Sequence, residues 1–326
     1  MVKPLYQKER EVLNFHLSLQ YEFLPKERKI MKINSNIPAD KAVGFEIYHF
    51  AFDDGKKPEL IKKYLEMGFM NSFQNAGSDL ERKHEIVKAG GKFWMYAQGI
   101  GFYTDNKDGK LTYGIKDGWQ DKIAATVERL KAEGLWDAVI GFDYDEPMLQ
   151  SDNDIVEMVA EEYAKYGKRQ RAIFSYYELI EGSHPRSNDP EFGKEGHLIN
   201  PKSCRFFTDV GFDYYGPTDY DEHLRVLNEM KRRVGRDDVN IWLVPCTWSI
   251  DNRFGQEHAI NHLEMCYRLL KEQEHPGGLT CYNWYSFGKK GESLDWLLDE
   301  NNESRWTNLE KRMIEIANEV INMPLK

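Results

Sequence analysis

The residues with the greatest chemical potential in this 326-residue chain lie in one stretch, Trp136-Asp137-Ala138-Val139-Ile140-Gly141-Phe142-Asp143-Tyr144-Asp145-Glu146-Pro147. Val139, Ile140 and Phe142 suit a buried strand, and Pro147 cannot continue one. The strand therefore ends in three carboxylates, Asp143, Asp145 and Glu146. Crowding like charges disfavours their joint ionisation and raises at least one pKa. The fold gains nothing from that cost, whereas general acid/base chemistry does. It needs one carboxyl protonated near neutral pH and another ionised beside it.

The elements that must position these acids follow a regular rhythm. Strand-like runs at 43–52, 69–74, 92–98, 136–144, 171–177, 205–215, 240–247 and 279–287 alternate with helical periodicity at 58–67, 79–89, 117–133, 154–166, 221–234, 257–273 and 306–320. The helix-to-strand turns are short and rich in glycine. Eight strands alternating with helices predict a parallel sheet closed into a (β/α)8 barrel, an α/β fold of the TIM-barrel type. An open doubly wound sheet is the rival, and it lacks a GxGxxG after the first strand. The expected organisation is a short N-terminal extension, 1–40, and one barrel domain, 41–326. The polar stretch 178–201 is too long for an ordinary connection and reads as a loop over a functional face.

In such a barrel the active site lies at the C-terminal ends of the strands. Those ends offer Tyr48, His49 and Asp53; Gln74 and Asn75; Tyr96 and Gln98; Asp143, Asp145 and Glu146; Tyr176, Tyr177 and Glu178; Asp213, Tyr214, Tyr215 and Asp219; Thr247, Trp248 and Asp251; and Asn283, Trp284 and Tyr285. Carboxylates, amides and aromatic rings dominate, with almost no Lys or Arg. That mixture suits a neutral polyhydroxylated ligand, whose hydroxyls bond carboxylates and amides and whose apolar face stacks on rings. A phosphate would call for Arg, Lys or a glycine-rich nest.

Composition narrows the classes further. A net charge of −10 argues against nucleic acid or an anionic membrane as the main partner. Four widely spaced cysteines, with no CxxC, read as buried thiols rather than a zinc site. The N-terminus shows no apolar signal core and no window approaches a membrane span, which predicts a cytoplasmic protein as written. A removed leader would make it extracellular.

An Asp-Glu pair after the fourth strand of an eight-stranded barrel resembles the glycoside hydrolases. In one large retaining group of these enzymes, a Glu after strand four is the acid/base and a Glu after strand seven the nucleophile. Here the seventh strand runs Pro245-Cys246-Thr247-Trp248-Ser249-Ile250-Asp251, with no Glu. The motif looks more like the chitinase-like and hexosaminidase-like families, in which the substrate's own 2-acetamido oxygen attacks the anomeric carbon. Asp145-Glu146 is similar to the adjacent pair of the hexosaminidase-like families. Asp143-x-Asp145 is similar to part of the chitinase DxDxE motif, with Pro147 where that motif has Glu.

The resemblance implies a retaining hydrolase of an amino-sugar-containing glycan that needs no cofactor and no metal. It implies Glu146 as acid/base, Asp145 as the acetamido-orienting residue and Asp143 as its catalytic support. Tyr96, Gln98, Tyr176, Tyr215, Trp248, Asn283 and Trp284 would bind the sugar. Tyr214 and Tyr215 point to opposite faces of one strand, so only one of them can enter the barrel. Two other readings stay open, a carbohydrate-binding barrel without turnover and a metal-dependent barrel lyase or isomerase. The sugar, the linkage, exo or endo action and the oligomeric state are not legible.

Overall fold

A computed structural model describes residues 37–48, 70–75, 79–107, 110–181, 198–247, 249–250, 254–282, 291–292 and 305–326. All of them fall within one compact unit, Ile33–Lys326. The expected helix at 58–67 and the central part of the long loop at 178–201 lie outside the described residues, as does nearly all of the 1–40 extension.

Eight strands form one sheet: β1 (Gly44–Ile47), β2 (Phe73–Asn75), β3 (Phe93–Tyr96), β4 (Val139–Asp145), β5 (Arg169–Ser175), β6 (Asp209–Asp213), β7 (Asn240–Val244) and β8 (Pro276–Cys281). Every ladder is parallel, running from β2 through β3, β4, β5, β6, β7 and β8 to β1. Among the described residues only the β1–β2 seam lacks a regular ladder, and Asn71 bridges it. Its side chain accepts from Phe45 N at 2.9 Å and donates to Val43 O at 3.0 Å, while its backbone N–H donates to Phe45 O at 3.2 Å. The result is the (β/α)8 barrel that the alternation predicts.

Helices α1 (Leu80–Lys88), α2 (Trp119–Ala132), α3 (Asn153–Ala164), α4 (Tyr220–Val234), α5 (Gln256–Lys271) and α6 (Thr307–Val320) lie close to their expected spans. Their local causes are ordinary. The side chains of Asp79, Asp152 and Asp219 cap the starts of α1, α3 and α4, and Gly235 ends α4 at φ 72°. In α2, Ile123, Val127 and Leu130 make one buried stripe. A hairpin, Phe102–Lys107 with Lys110–Ile115, follows β3 and was not legible from periodicity.

The apolar residues divide into two layers. Outward-facing residues such as Phe45, Phe142, Phe174, Phe212 and Leu243 pack under the helices, and Trp94, Ile140, Ile173, Trp242 and Val244 fill the barrel interior. The indole of Trp242 occupies the lower interior because its neighbours lack side chains. A Cβ at Gly44 would stand 2.2 Å from it, and one at Gly278 2.5 Å.

One irregularity decides which way the acids point. Phe93 pairs with Val139 but Trp94 with Gly141, so Ile140 is an extra residue in β4. Ile140 faces inward, and simple alternation from it would send Phe142 and Tyr144 inward too. The bulge resets the phase. Phe142 and Tyr144 join the outer layer, and Asp143 and Asp145 turn into the barrel.

Candidate active site

The floor of the site is a buried ion cluster. The Arg171 guanidinium lies 4.5 Å from the Trp94 ring and 4.4 Å from the Trp242 ring. It donates to Glu46 and, at 2.7 Å, to Asp143 Oδ1. Gln74 Nε2 donates to Asp143 Oδ2 at 2.7 Å, and Ser72 Oγ donates to Glu46 Oε2 at 2.7 Å. Asp143 was expected among the catalytic acids. It is fully buried with both oxygens on protein donors, so its place is beneath the site, in support of Asp145.

Asp145 stands at the end of β4, partly exposed to the mouth. Gln98 fixes its backbone from both sides: Oε1 accepts from Asp145 N at 2.9 Å, and Nε2 donates to Asp145 O at 2.7 Å. Gln150 Nε2 donates to the same carbonyl at 3.1 Å. Burial raises the Asp145 pKa to about 6 against the partial relief that Tyr48 gives, and the charge of Asp143 adds to the rise. Tyr96 leans on the same group. Gln98 Nε2 donates to its hydroxyl at 2.6 Å, and burial together with the charge of Asp145 raises the phenol.

Asp213, at the end of β6, is the second acid of the mouth. Burial holds its pKa well above the usual range, and the charges of Asp145 and Glu178 push it the same way. Tyr215 bonds it and faces the interior. The rings of Tyr215, Tyr282 and Tyr48 form an arc, with centroids 4.9 Å apart between the first two and 5.4 Å between the last two. Tyr214 faces outward, so Tyr215 is the tyrosine that enters. The Tyr214 carbonyl accepts from two buried imidazoles, His223 at 3.2 Å and His262 at 3.1 Å, which fixes the backbone beside Tyr215.

Glu146 has φ 45° and ψ 53°, and it is the one non-glycine residue with positive φ among the described residues. That conformation costs ~1–3 kcal/mol and persists only where the surroundings enforce it. Its charge adds to the upward shift of Tyr215 and of Glu178. Burial, and then Glu146, keeps the Glu178 pKa well above normal.

The structure thus brings Glu146, Asp145, Tyr96, Gln98 and Tyr215 to one mouth. It sends Tyr176 elsewhere: that ring stacks on Tyr214 at 4.4 Å in the outer layer, and its hydroxyl accepts from Arg225. Tyr176, directly after β5, is turned toward α4 and is not brought together with the other expected sugar-binding residues. Trp248, Asn283 and Trp284 lie outside the described residues. Tyr48, Asp213 and Glu178 stood among the strand-end residues without an assigned role, and Tyr282 was not singled out. The inward series on β6, Gly211-x-Asp213-x-Tyr215, carries the signal for Asp213. Among the described residues no group of His, Cys, Asp and Glu is arranged to hold a metal ion, and no helix is long and apolar enough to cross a membrane.

No protein-family model and no curated protein matches the chain. Solved structures do resemble it. A GH113 β-1,4-mannanase is 13% identical, covers 85% of this chain and 98% of its own, and superposes with a TM-score of 0.50. A GH10 endoxylanase from a sugarcane soil metagenome is 12% identical over 87% of this chain and 100% of its own, with a TM-score of 0.48. A chitinase from Chromobacterium violaceum is 7% identical over 83% and 99%, with a TM-score of 0.47. At these identities the likeness to the mannanase is one of fold, and the fold is a (β/α)8 barrel.

Proposed function

We propose that this chain is a glycoside hydrolase acting on a glycan that contains an amino sugar. The observation that carries the reading is the acid pair Asp145 and Asp213, set beside Glu146 in a tyrosine-lined barrel mouth. Burial keeps a proton on this pair at pH values where exposed carboxyls have lost theirs. The mannanase that shares the fold gives the reading analogical support only.

In this reading Glu146 gives its proton to the leaving glycosidic oxygen as the C1–O bond breaks. The substrate's acetamido oxygen attacks C1 from the opposite face. Asp145, ionised above about pH 6, accepts from the acetamido N–H and balances the charge that forms there, while Asp213 keeps the pair's remaining proton. Glu146 then takes a proton from the incoming water, which opens the ring intermediate with net retention. Tyr215 and Tyr282 offer the stacking surface and Tyr96 a hydroxyl. None of these steps calls for a cofactor.

A panel of aryl glycosides tests the substrate class. Aryl 2-acetamido-2-deoxyhexosides are expected to turn over, and their 2-hydroxy counterparts to react at least ~100-fold more slowly, because the internal nucleophile supplies effective-molarity rate enhancement. Equal turnover of both would overturn the acetamido part of the reading.

A further inference from the structure

The strained turn that carries Glu146 is gripped by an acid that never reaches solvent. Glu178 is 1% exposed and lies in a π-helical turn, Tyr177–Glu181, directly after β5. Its Oε1 accepts from Met148 N at 2.6 Å. Its Oε2 accepts from Ser175 N and, at 3.0 Å, from Ser175 Oγ. One carboxyl thus joins the end of β5 to a residue two positions beyond Glu146.

The rest of the turn leaves Glu146 few alternatives. Its N–H donates to Ile173 O at 2.8 Å, which fixes where the β4 pairing ends. Pro147 follows it and disfavours the right-handed helical region for the preceding residue. Leu149 N donates to Glu146 O at 3.1 Å and Gln150 N to Pro147 O at 3.2 Å, closing a short helical turn. An extended backbone at Glu146 would swing the Met148 N–H away from Glu178. The left-handed conformation and the Met148–Glu178 bond therefore require each other.

We propose that Glu178 is a positioning residue for Glu146. Through the Met148 N–H it holds the Glu146-Pro147-Met148 turn with Glu146 in its left-handed conformation at the end of β4. The proposal rests on the reading of Glu146 as the acid/base. Glu178 itself touches no substrate, because its two oxygens are used within the protein.

Glu178→Gln tests it. The amide has one acceptor oxygen where the carboxyl has two, so an N–H of either Met148 or Ser175 then faces an NH2 group. A lost or opposed hydrogen bond at a catalytic turn converts to about 10- to 100-fold in rate. E178Q is expected to lose kcat by that factor with KM within about 3-fold of wild type. Its crystal structure is expected to show residue 146 out of the left-handed region or the 146–149 turn displaced. Ser175→Ala, which leaves the Met148 bond in place, is expected to keep kcat within about 3-fold. A merely structural Glu178 would lower thermal stability in all variants and leave kcat of the folded enzyme unchanged.

Wild-type kcat in E178Q, or an undisplaced Glu146 in its crystal structure, overturns the proposal. If E178Q does not fold, E178D, which draws the carboxyl one methylene back from Met148, must show the same loss of kcat, and an unchanged kcat overturns it. The crystallographic arm needs no turnover. A displaced turn in a protein that cleaves no glycoside would support the grip on Glu146 and count only against the hydrolase reading.

Discussion

Arg171 donates to Asp143 across 2.7 Å in the closed interior of the barrel, one pleat below Asp145. The pair ties Asp143 into the floor of the site and leaves Asp145 as the acid of β4 that meets the mouth. Glu46 shares the same guanidinium, so one cation serves two buried carboxylates. Removing it strands both. Arg171→Met is expected to destabilise the fold by ~3–5 kcal/mol, because breaking a buried pair leaves uncompensated charge. Denaturant unfolding of the variant measures this directly. A loss below ~1 kcal/mol would show that the cluster matters little to the fold.

The mouth acids should make stability depend on pH in an unusual direction. The ordinary Asp pKa is 3.8, and Asp145 in the fold stands at about 6. Between these values the native protein holds a proton that the unfolded chain has released. The contribution of Asp145 to stability therefore falls as pH rises through this window and is constant on either side of it. Asp145→Asn removes the group, so the variant is expected to melt higher than wild type above pH 6 and alongside it below about pH 4. Melting curves from pH 4 to 8 check this. A variant less stable than wild type at pH 7 would mean that Asp145 is not an acid held against its charge. The activity is expected to fall as the stability rises, the trade usual at active sites.

The bulge at Ile140–Gly141 makes a third prediction. A Cβ at Gly141 would lie 2.2 Å from Arg169 O, so Gly141→Ala must shift β4 against β5. We expect failure to fold, or a loss of more than ~3 kcal/mol, with the surviving protein inactive because Asp143 and Asp145 no longer face inward. Gly255→Ser is the control. Its Cβ would meet nothing within 4 Å, and position 255 is the N-cap of α5, where serine is favoured, so stability is expected to hold within ~0.5 kcal/mol. Thermal melts of the two variants distinguish a specific need for glycine at 141 from general fragility.

The barrel was legible because each of its periodic signals is local. Asp79, Asp152 and Asp219 start helices, glycines end them, and short apolar runs lie between. The direction of the acids was not legible, because it depends on a one-residue bulge set by packing between β3 and β4. Arg171 was passed over as one charge within an apolar run. Its meaning required Glu46, which is 125 positions away in sequence. Tyr176 and Tyr215 look alike in sequence at neighbouring strand ends. Only the phase of each strand separates the ring that stacks outside from the one in the mouth. Glu178 reads as one more rim acid until its three backbone and hydroxyl donors are seen.

The central claim is that Glu146 is the proton donor of a glycosidase. The most direct measurement is steady-state turnover of an aryl 2-acetamido-2-deoxyhexoside by wild type and Glu146→Gln, with substrate binding followed in parallel by calorimetry. The account predicts turnover by wild type, a loss of at least ~100-fold in kcat in the variant, and binding that stays within about 3-fold. Wild-type rates in Glu146→Gln would contradict it.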